Sequence, residues 1–211
     1  MQKVVICIPG EKWHHTMGRS LIVLLSELAK AGWETLIVDA YGANIFECRR
    51  DLLGIPKDAL NHKPFRDEEY SHILFIDTDI VFSPYHFERL YKRDVDIVAG
   101  FYLMTDAVNY SAAVDFIPSN GSNRYITRED LKDKSELIPL DWAGMGFMLV
   151  KQGVFEALGY PWFVEVPIKT RVFEERSSED AGFCLRAKEK GFITYGDPAV
   201  KLTHLKTRGL I

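Results

Sequence analysis

The feature that most limits how this chain can fold is a pair of short apolar runs flanking one amphipathic helix near its start. Lys3 to Pro9 (KVVICIP) is β-branched and shows no polar alternation after its lysine. That is the pattern of a strand covered on both faces, and Pro9-Gly10 stops it. Gly18 to Ala31 carries Leu21, Leu24, Leu25 and Leu28 at helical spacing, with Gly32 in the stop position. Thr35 to Asp39 (TLIVD) is a second covered run. A strand, a helix and a strand joined this closely form a right-handed crossover, which predicts a parallel sheet covered by helices.

The alternation continues. Asn44 to Leu53 reads as a short helix ended by Gly54 and Pro56, and Lys57 to Glu69 as a polar loop. His72 to Ile76 (HILFI) is a third strand. Ser83-Pro84 opens a helix reaching Lys92, with Ser as N-cap and Pro at its first position. Val95 to Tyr102 is a fourth strand. Met104 to Leu140 is polar and reads as a less regular insertion, with a hairpin around Ser119 to Ser122 at Asn120-Gly121. Gly146 to Val150 is a strand, Gln152 to Leu158 a short helix, and Glu165 to Arg176 a charged loop. Ser178 to Lys190 is a helix closed by Gly191, and Phe192 to Tyr195 and Val200 to His204 are the last extended pieces. No Gly-, Pro- or Ser-rich linker divides the chain. The expectation is one α/β domain over 1–211, an open, twisted, mixed sheet, mostly parallel and flanked by helices.

Composition excludes several classes. The clean apolar runs, Leu21 to Leu25 among them, are far short of the roughly 20 residues a bilayer span needs, so no transmembrane segment is expected. Lys plus Arg number 26 against 30 Asp plus Glu, a formal charge of −4 that disfavours a broad nucleic-acid surface. Cys7, Cys48 and Cys184 form no CxxC pair and read as buried free thiols of a cytoplasmic protein. There is no GxGxxG after the first strand, no GxxxxGK[ST] and no GxSxG. Dinucleotide, P-loop and α/β-hydrolase chemistry lose their signatures.

What remains is a set of short constellations. In Phe75-Ile76-Asp77-Thr78-Asp79 an apolar strand ends in two carboxylates one residue apart. In extended chain both point to one side, where they repel unless a cation sits between them. Oxygen ligands suit Mg²⁺ or Mn²⁺, and open α/β sheets bind ligands beyond the carboxyl ends of their strands. Ser177-Ser178-Glu179-Asp180 precedes a helix and reads equally as a loose capping box between Ser177 and Asp180 or as a general base on a rigid helix start. His204 could complete a metal site begun by distant carboxylates. In Asp141-Trp142-Ala143-Gly144-Met145-Gly146 the glycines either let backbone approach a ligand or make a bulge. Asp39 and Arg49 either bind a nucleotide or pair at the surface. Adjacent side chains diverge, so His14-His15 are loop residues. Lys169, Arg171 and Arg176 either bind an anionic acceptor or solvate a loop.

These pieces, in this order, resemble a GT-A glycosyltransferase, especially small family-2-type enzymes of phages and bacteria. The resemblance covers nearly the whole chain and departs from the usual pattern at Arg49-Arg50, where such proteins often show Arg-Asn. It implies a metal-dependent glycosyltransferase, located in the cytoplasm, including that of an infected host cell. The enzyme would move a sugar from a nucleotide-diphosphate donor, a UDP-sugar first, to an acceptor hydroxyl on a glycan, lipid or modified nucleobase. Residues 1–103 would bind the nucleotide sugar and 104–211 the acceptor. Carried over by position, Pro9, Asp39, Arg49, Asp77 and Thr78 meet the nucleotide sugar. Asp77, Asp79 and His204 hold Mn²⁺ or Mg²⁺. Asp141, Trp142 and Gly144 line the acceptor pocket. Asp180 is the base of an inverting mechanism, with Glu179 beside it. Two alternatives stand beside this reading: a non-catalytic sugar-nucleotide-binding module and a nucleotidyltransferase.

Overall fold

The computed structural model describes residues 2–54, 63–169 and 174–206. Pro56, the first half of the expected polar loop after it, and Arg171 lie outside the described residues. In chain order the elements are β1 (Lys3–Pro9), α1 (His15–Lys30), β2 (Glu34–Ala40), α2 (Ile45–Leu52), β3 (His72–Ile76), β4 (Ile80–Val81), α3 (Pro84–Lys92) and β5 (Ile97–Tyr102). Then come β6 (Asn109–Ile117), β7 (Ser122–Thr127), β8 (Ile138–Leu140), β9 (Trp142–Ala143), β10 (Phe147–Lys151), α4 (Val154–Leu158), β11 (Pro167–Lys169), β12 (Glu174–Arg176), α5 (Glu179–Glu189) and β13 (Thr194–His204). No helix among the described residues is long and apolar enough to cross a membrane.

The central sheet runs β2-β1-β3-β10-β5-β13-β4, with β8 also on β13. β1 is parallel to β2 and β3, and β5 to β13, while β10 runs against both β3 and β5. The long strands β2, β1, β3, β5 and β13 therefore point one way, as the apolar runs predicted. Alternate residues of each strand serve opposite faces. Val4, Ile6 and Ile8 meet Met17, Leu21, Leu24 and Leu28 of α1 and Phe87 and Leu90 of α3. Val5, Cys7 and Phe75 meet Leu52 of α2, Phe155 of α4 and Phe183 of α5. Each such fully buried side chain contributes roughly 1.5–3 kcal/mol, which is why the sheet and its two helical layers form one body.

Local chemistry sets the ends. α1 begins three residues earlier than its leucine stripe suggested, because His14 caps it: Nδ1 accepts from Thr16 N at 3.2 Å. Asn44 caps α2 through Glu47 N at 2.9 Å. Gly121, at φ 71°, turns the β6–β7 hairpin where Asn120-Gly121 predicted it. The rest of the expected insertion is more regular than its composition suggests, because β9 pairs with β6 and completes a three-stranded sheet. The expected charged loop holds an antiparallel pair, Pro167 facing Arg176 and Lys169 facing Glu174. The two last extended pieces are one strand, β13, with a register shift between Gly196 and Lys201. Ser177 and Asp180 do not form a capping box. Ser178 is the N-cap of α5, and the Ser177 hydroxyl instead accepts from Val166 N at 2.9 Å.

Two features fix α5 against the sheet. Gly182 lies under the Val164 carbonyl, where a Cβ would come within 1.8 Å of the oxygen. Arg49 of α2, only 3% exposed, bridges Asp77, just past β3, and Glu179, the first residue of α5. One guanidinium thus ties α2, β3 and α5 together. Removing one partner of a buried ion pair leaves an uncompensated charge and costs about 3–5 kcal/mol. Arg49→Met is expected to lose that much unfolding free energy in urea titration. A loss under about 1 kcal/mol would show that the bridge does not hold these elements.

Candidate active site

The C-terminal ends of β1, β3 and β13 meet along one edge of the sheet. Gly10, at φ 127°, carries the chain out of β1 with its N–H on Ala40 O at 2.8 Å, and a Cβ there would press on Thr78. Thr78 O in turn accepts from His14 N at 3.0 Å. The turn after β3 is thereby packed between the β1 exit and the start of α1.

That turn separates the two aspartates. β3 ends at Ile76, and Ile80 N bonds Asp77 O at 3.2 Å, so Asp77-Thr78-Asp79 is not extended chain. Asp77 Oδ1 accepts from Arg49 Nη2 at 3.1 Å. Asp79 Oδ2 faces His204 Nε2 at 3.3 Å and Lys206 Nζ at 2.9 Å. The expectation that both carboxylates aim at one cation is corrected: each has its own cationic partner. Among the described residues no three His, Cys, Asp or Glu side chains form a metal-binding group.

The Asp79–His204 pair nevertheless has the form of a partial cation site. His204 Nδ1 lies 2.6 Å from Leu103 O. A carbonyl only accepts, so Nδ1 carries a hydrogen, and Nε2 faces the Asp79 carboxylate. Two ligands at right angles and about 2.1 Å from a small divalent ion stand about 3.0 Å apart. The observed 3.3 Å is close to that span. The two side chains are therefore spaced as two ligands of Mg²⁺ or Mn²⁺ would be. Burial would raise the Asp79 carboxyl, but hydrogen bonds from His204 and Lys206 outweigh it and hold Asp79 below its usual range.

Glu179 and Asp180 begin α5 with different environments. Glu179 is 7% exposed and bound to Arg49 Nη1. Burial pushes its carboxyl up, against the pull of the guanidinium. Asp180 is only partly buried. Its Oδ1 accepts from Ser178 Oγ and from Ala181 N at 2.8 Å. Its charge is felt by both Arg49 and Tyr102, so it lies on the Asp77 side of the helix.

The other expected site residues are distributed unevenly. Asp39 is exposed at the end of β2, and Pro9 is buried at the end of β1. Arg49 does not face the cleft, because Asp77 and Glu179 occupy its guanidinium. Asp141 accepts from Phe116 N at 2.8 Å and Lys188 Nζ at 2.6 Å. Lys188 is nine residues beyond Glu179, about 13 Å along a helix, so Asp141 belongs to the far end of α5. Trp142, 8% exposed, gives its Nε1–H to Asn123 Oδ1 at 3.2 Å. Asp141 and Trp142 thus make contacts that tie the small β-sheet together and to α5.

Tyr102, absent from the expected set, is central. Its hydroxyl accepts from Gly146 N at 3.1 Å, and its ring meets His204 edge-on at 5.1 Å. Gly146 O accepts from Asp77 N at 3.0 Å. A Cβ on Gly144 would lie 2.2 Å from the Tyr102 hydroxyl, and one on Gly146 would lie 2.7 Å from its ring. The two glycines make room for Tyr102 rather than for a ligand. Burial raises the Tyr102 hydroxyl, keeping it protonated. A tyrosine closing an apolar strand opposite a Gly-x-Gly segment was the available signal. Beside His204, a cleft of about 500 Å³ is lined by Leu103, Met104, Thr105, Leu202, Thr203 and Lys206, among others.

No protein-family model and no curated protein sequence matches this chain. Its fold does match solved structures. A197 from STIV is 17% identical, over 100% of this chain and 97% of that one, at a TM-score of 0.55. The catalytic domain of Drosophila β1,4-galactosyltransferase 7, solved with xylobiose, is 13% identical over 99% of this chain and 72% of that one, at 0.54. GalNAc-T7, solved with UDP, GalNAc and Mn²⁺, is 10% identical over 97% of this chain and 44% of that one, at 0.57. The chain carries the mixed, mostly parallel α/β fold of GT-A glycosyltransferases.

Proposed function

We propose that this protein is a metal-dependent glycosyltransferase that moves a sugar from a nucleoside-diphosphate donor to an acceptor hydroxyl. The observation that carries this reading is the Asp79–His204 pair at the carboxyl edge of the sheet, with Nδ1 of the imidazole fixed on Leu103 O and Nε2 turned to the carboxylate. Structural neighbours solved with UDP and Mn²⁺, and with manganese, UDP-Gal and xylobiose, support a UDP-sugar as the first donor to test. The bound cation would neutralise charge developing on the departing diphosphate.

The chain's own residues divide the remaining work. Asp79 and His204 hold the cation, and Tyr102 keeps the imidazole and the Gly146 backbone in register with the Asp77 turn. Arg49, through Asp77 and Glu179, fixes α5 against that turn. Glu179 is occupied by this contact, so Asp180 is the group available to the acceptor. Its Oδ2 takes the proton as the hydroxyl oxygen attacks the sugar's anomeric carbon and the bond to the diphosphate breaks. In a retaining reaction the same oxygen would orient the acceptor instead. Glycan, lipid and hydroxylated nucleobase acceptors are the classes to screen.

Nucleotide release from UDP-, GDP- and CDP-sugars is expected with Mn²⁺ and should stop on addition of EDTA. Asp79→Asn should abolish it. Absence of turnover and of binding for all three donor classes would overturn the assignment. Asp180→Asn is expected to lower kcat by roughly 10²–10⁴-fold, the usual worth of a general base, while leaving Mn²⁺ and nucleotide binding near wild type. Unchanged kcat would remove Asp180 from the base role, and binding without turnover in the wild type would identify a non-catalytic module.

A further inference from the structure

We propose that Lys206 is a resident counter-ion on Asp79, which a divalent cation must displace. The released ammonium then pairs with the donor diphosphate. The inference deepens the proposed function and rests on it.

Lys206 Nζ lies 2.9 Å from Asp79 Oδ2, the same oxygen that faces His204 Nε2. The backbone puts it there. β13 pairs with β4, His204 opposite Ile80, and the next residue, Leu205, gives its N–H to Asp79 O at 2.8 Å. Lys206 therefore leaves a segment already tied to the Asp77–Asp79 turn. Asp77, bound to Arg49, offers it no second carboxylate there.

Like charge makes metal and lysine compete for Asp79. A metal about 2.1 Å from Oδ2 and an ammonium within hydrogen-bond distance of the same atom repel, so they exclude one another. The lysine is the weaker holder. Its side chain is 42% exposed, and an ion pair that open to solvent is worth about 0–1 kcal/mol. Lysine is also a point charge on a flexible stem, free to swing. It has one evident place to go, because Lys206 lines the 500 Å³ cleft beside His204. Among the described residues the cleft is lined by Leu103, Met104, Thr105, Ala107, Leu202, Thr203, His204 and Lys206, with no acid. An ammonium released there meets no carboxylate among these lining residues, so an entering anion is its natural partner.

A cation alone must break the Lys206–Asp79 pair and leave the ammonium unmatched, so it binds weakly. A nucleoside diphosphate rewards that release, so cation and diphosphate strengthen each other's binding. The coupling is reciprocal, and such couplings commonly span about 5–150-fold.

The test is Mn²⁺ binding followed by electron paramagnetic resonance of the free ion, alone and with saturating UDP, GDP or CDP. Wild type should bind Mn²⁺ weakly alone and at least about tenfold more tightly with its cognate nucleotide. Lys206→Met should bind Mn²⁺ alone about tenfold more tightly than wild type and lose most of the nucleotide enhancement. Lys206→Arg keeps the charge and should retain most of that enhancement. If Lys206→Met binds Mn²⁺ alone no more tightly than wild type, or keeps the full enhancement, the role of Lys206 is overturned while the cation site stands. If wild type binds no Mn²⁺ with any of the three nucleotides, and Asp79→Asn behaves the same, the site reading falls with it.

Discussion

The buried guanidinium of Arg49 is the contact on which the geometry of the site depends. The sheet and its helices are held by apolar burial, which is strong but non-directional and tolerates sliding by a fraction of an ångström. Arg49 removes that freedom at one point, because its two terminal nitrogens reach Asp77 at the tip of β3 and Glu179 at the start of α5. A planar fork between two carboxylates fixes angle as well as distance. Its Nε is buried without a hydrogen-bond partner among the described residues, and an orphaned buried donor costs about 1–3 kcal/mol. Such a cost is sustained where the surrounding structure over-determines the position. Here the position sets how Asp180 stands relative to Asp79.

The architecture was legible because strands buried on both faces leave continuous apolar runs. KVVICIP and HILFI span β1 and β3 residue for residue, and Ser83-Pro84 marks the start of α3. What escaped was set by pairing rather than by pattern. β4 and β9 are two residues long, too short to carry a period, and exist because β13 and β6 lie beside them. β13 looked like two pieces because its register shifts between Gly196 and Lys201, where Asp197 turns inward to meet Arg89 and Arg93.

Of the expected contacts, the meeting of Asp79 with His204 is the one the structure shows. Asp79 and His204, 125 residues apart, do meet, because both close strands that run the same way and end at one edge. The picture of Asp77 and Asp79 side by side assumed that β3 continues through them. A turn one residue earlier gives each a different partner. Arg49 read as a nucleotide contact or a surface pair because nothing local reveals that Glu179, 130 residues on, will close over it. The glycines of Gly144-Met145-Gly146 suggested a ligand approach. Only the fold shows that Tyr102 already fills the space.

The charge balance of the edge joins these observations. Counting Asp, Glu, Lys and Arg alone, Asp77, Asp79, Glu179 and Asp180 are four carboxylates against the two cations Arg49 and Lys206. The local deficit is two positive charges, and a nucleoside diphosphate entering beside it would deepen the repulsion. Arg49 cannot answer, since moving it would strand Glu179 in the interior. Lys206 can move but brings only the charge it already supplies. In the proposed reading a divalent ion on Asp79 would offset that deficit and free the lysine to meet the incoming anion. In the proposed reading the fixed cation, Arg49, holds the frame, and the mobile one, Lys206, keeps the seat until the ion arrives.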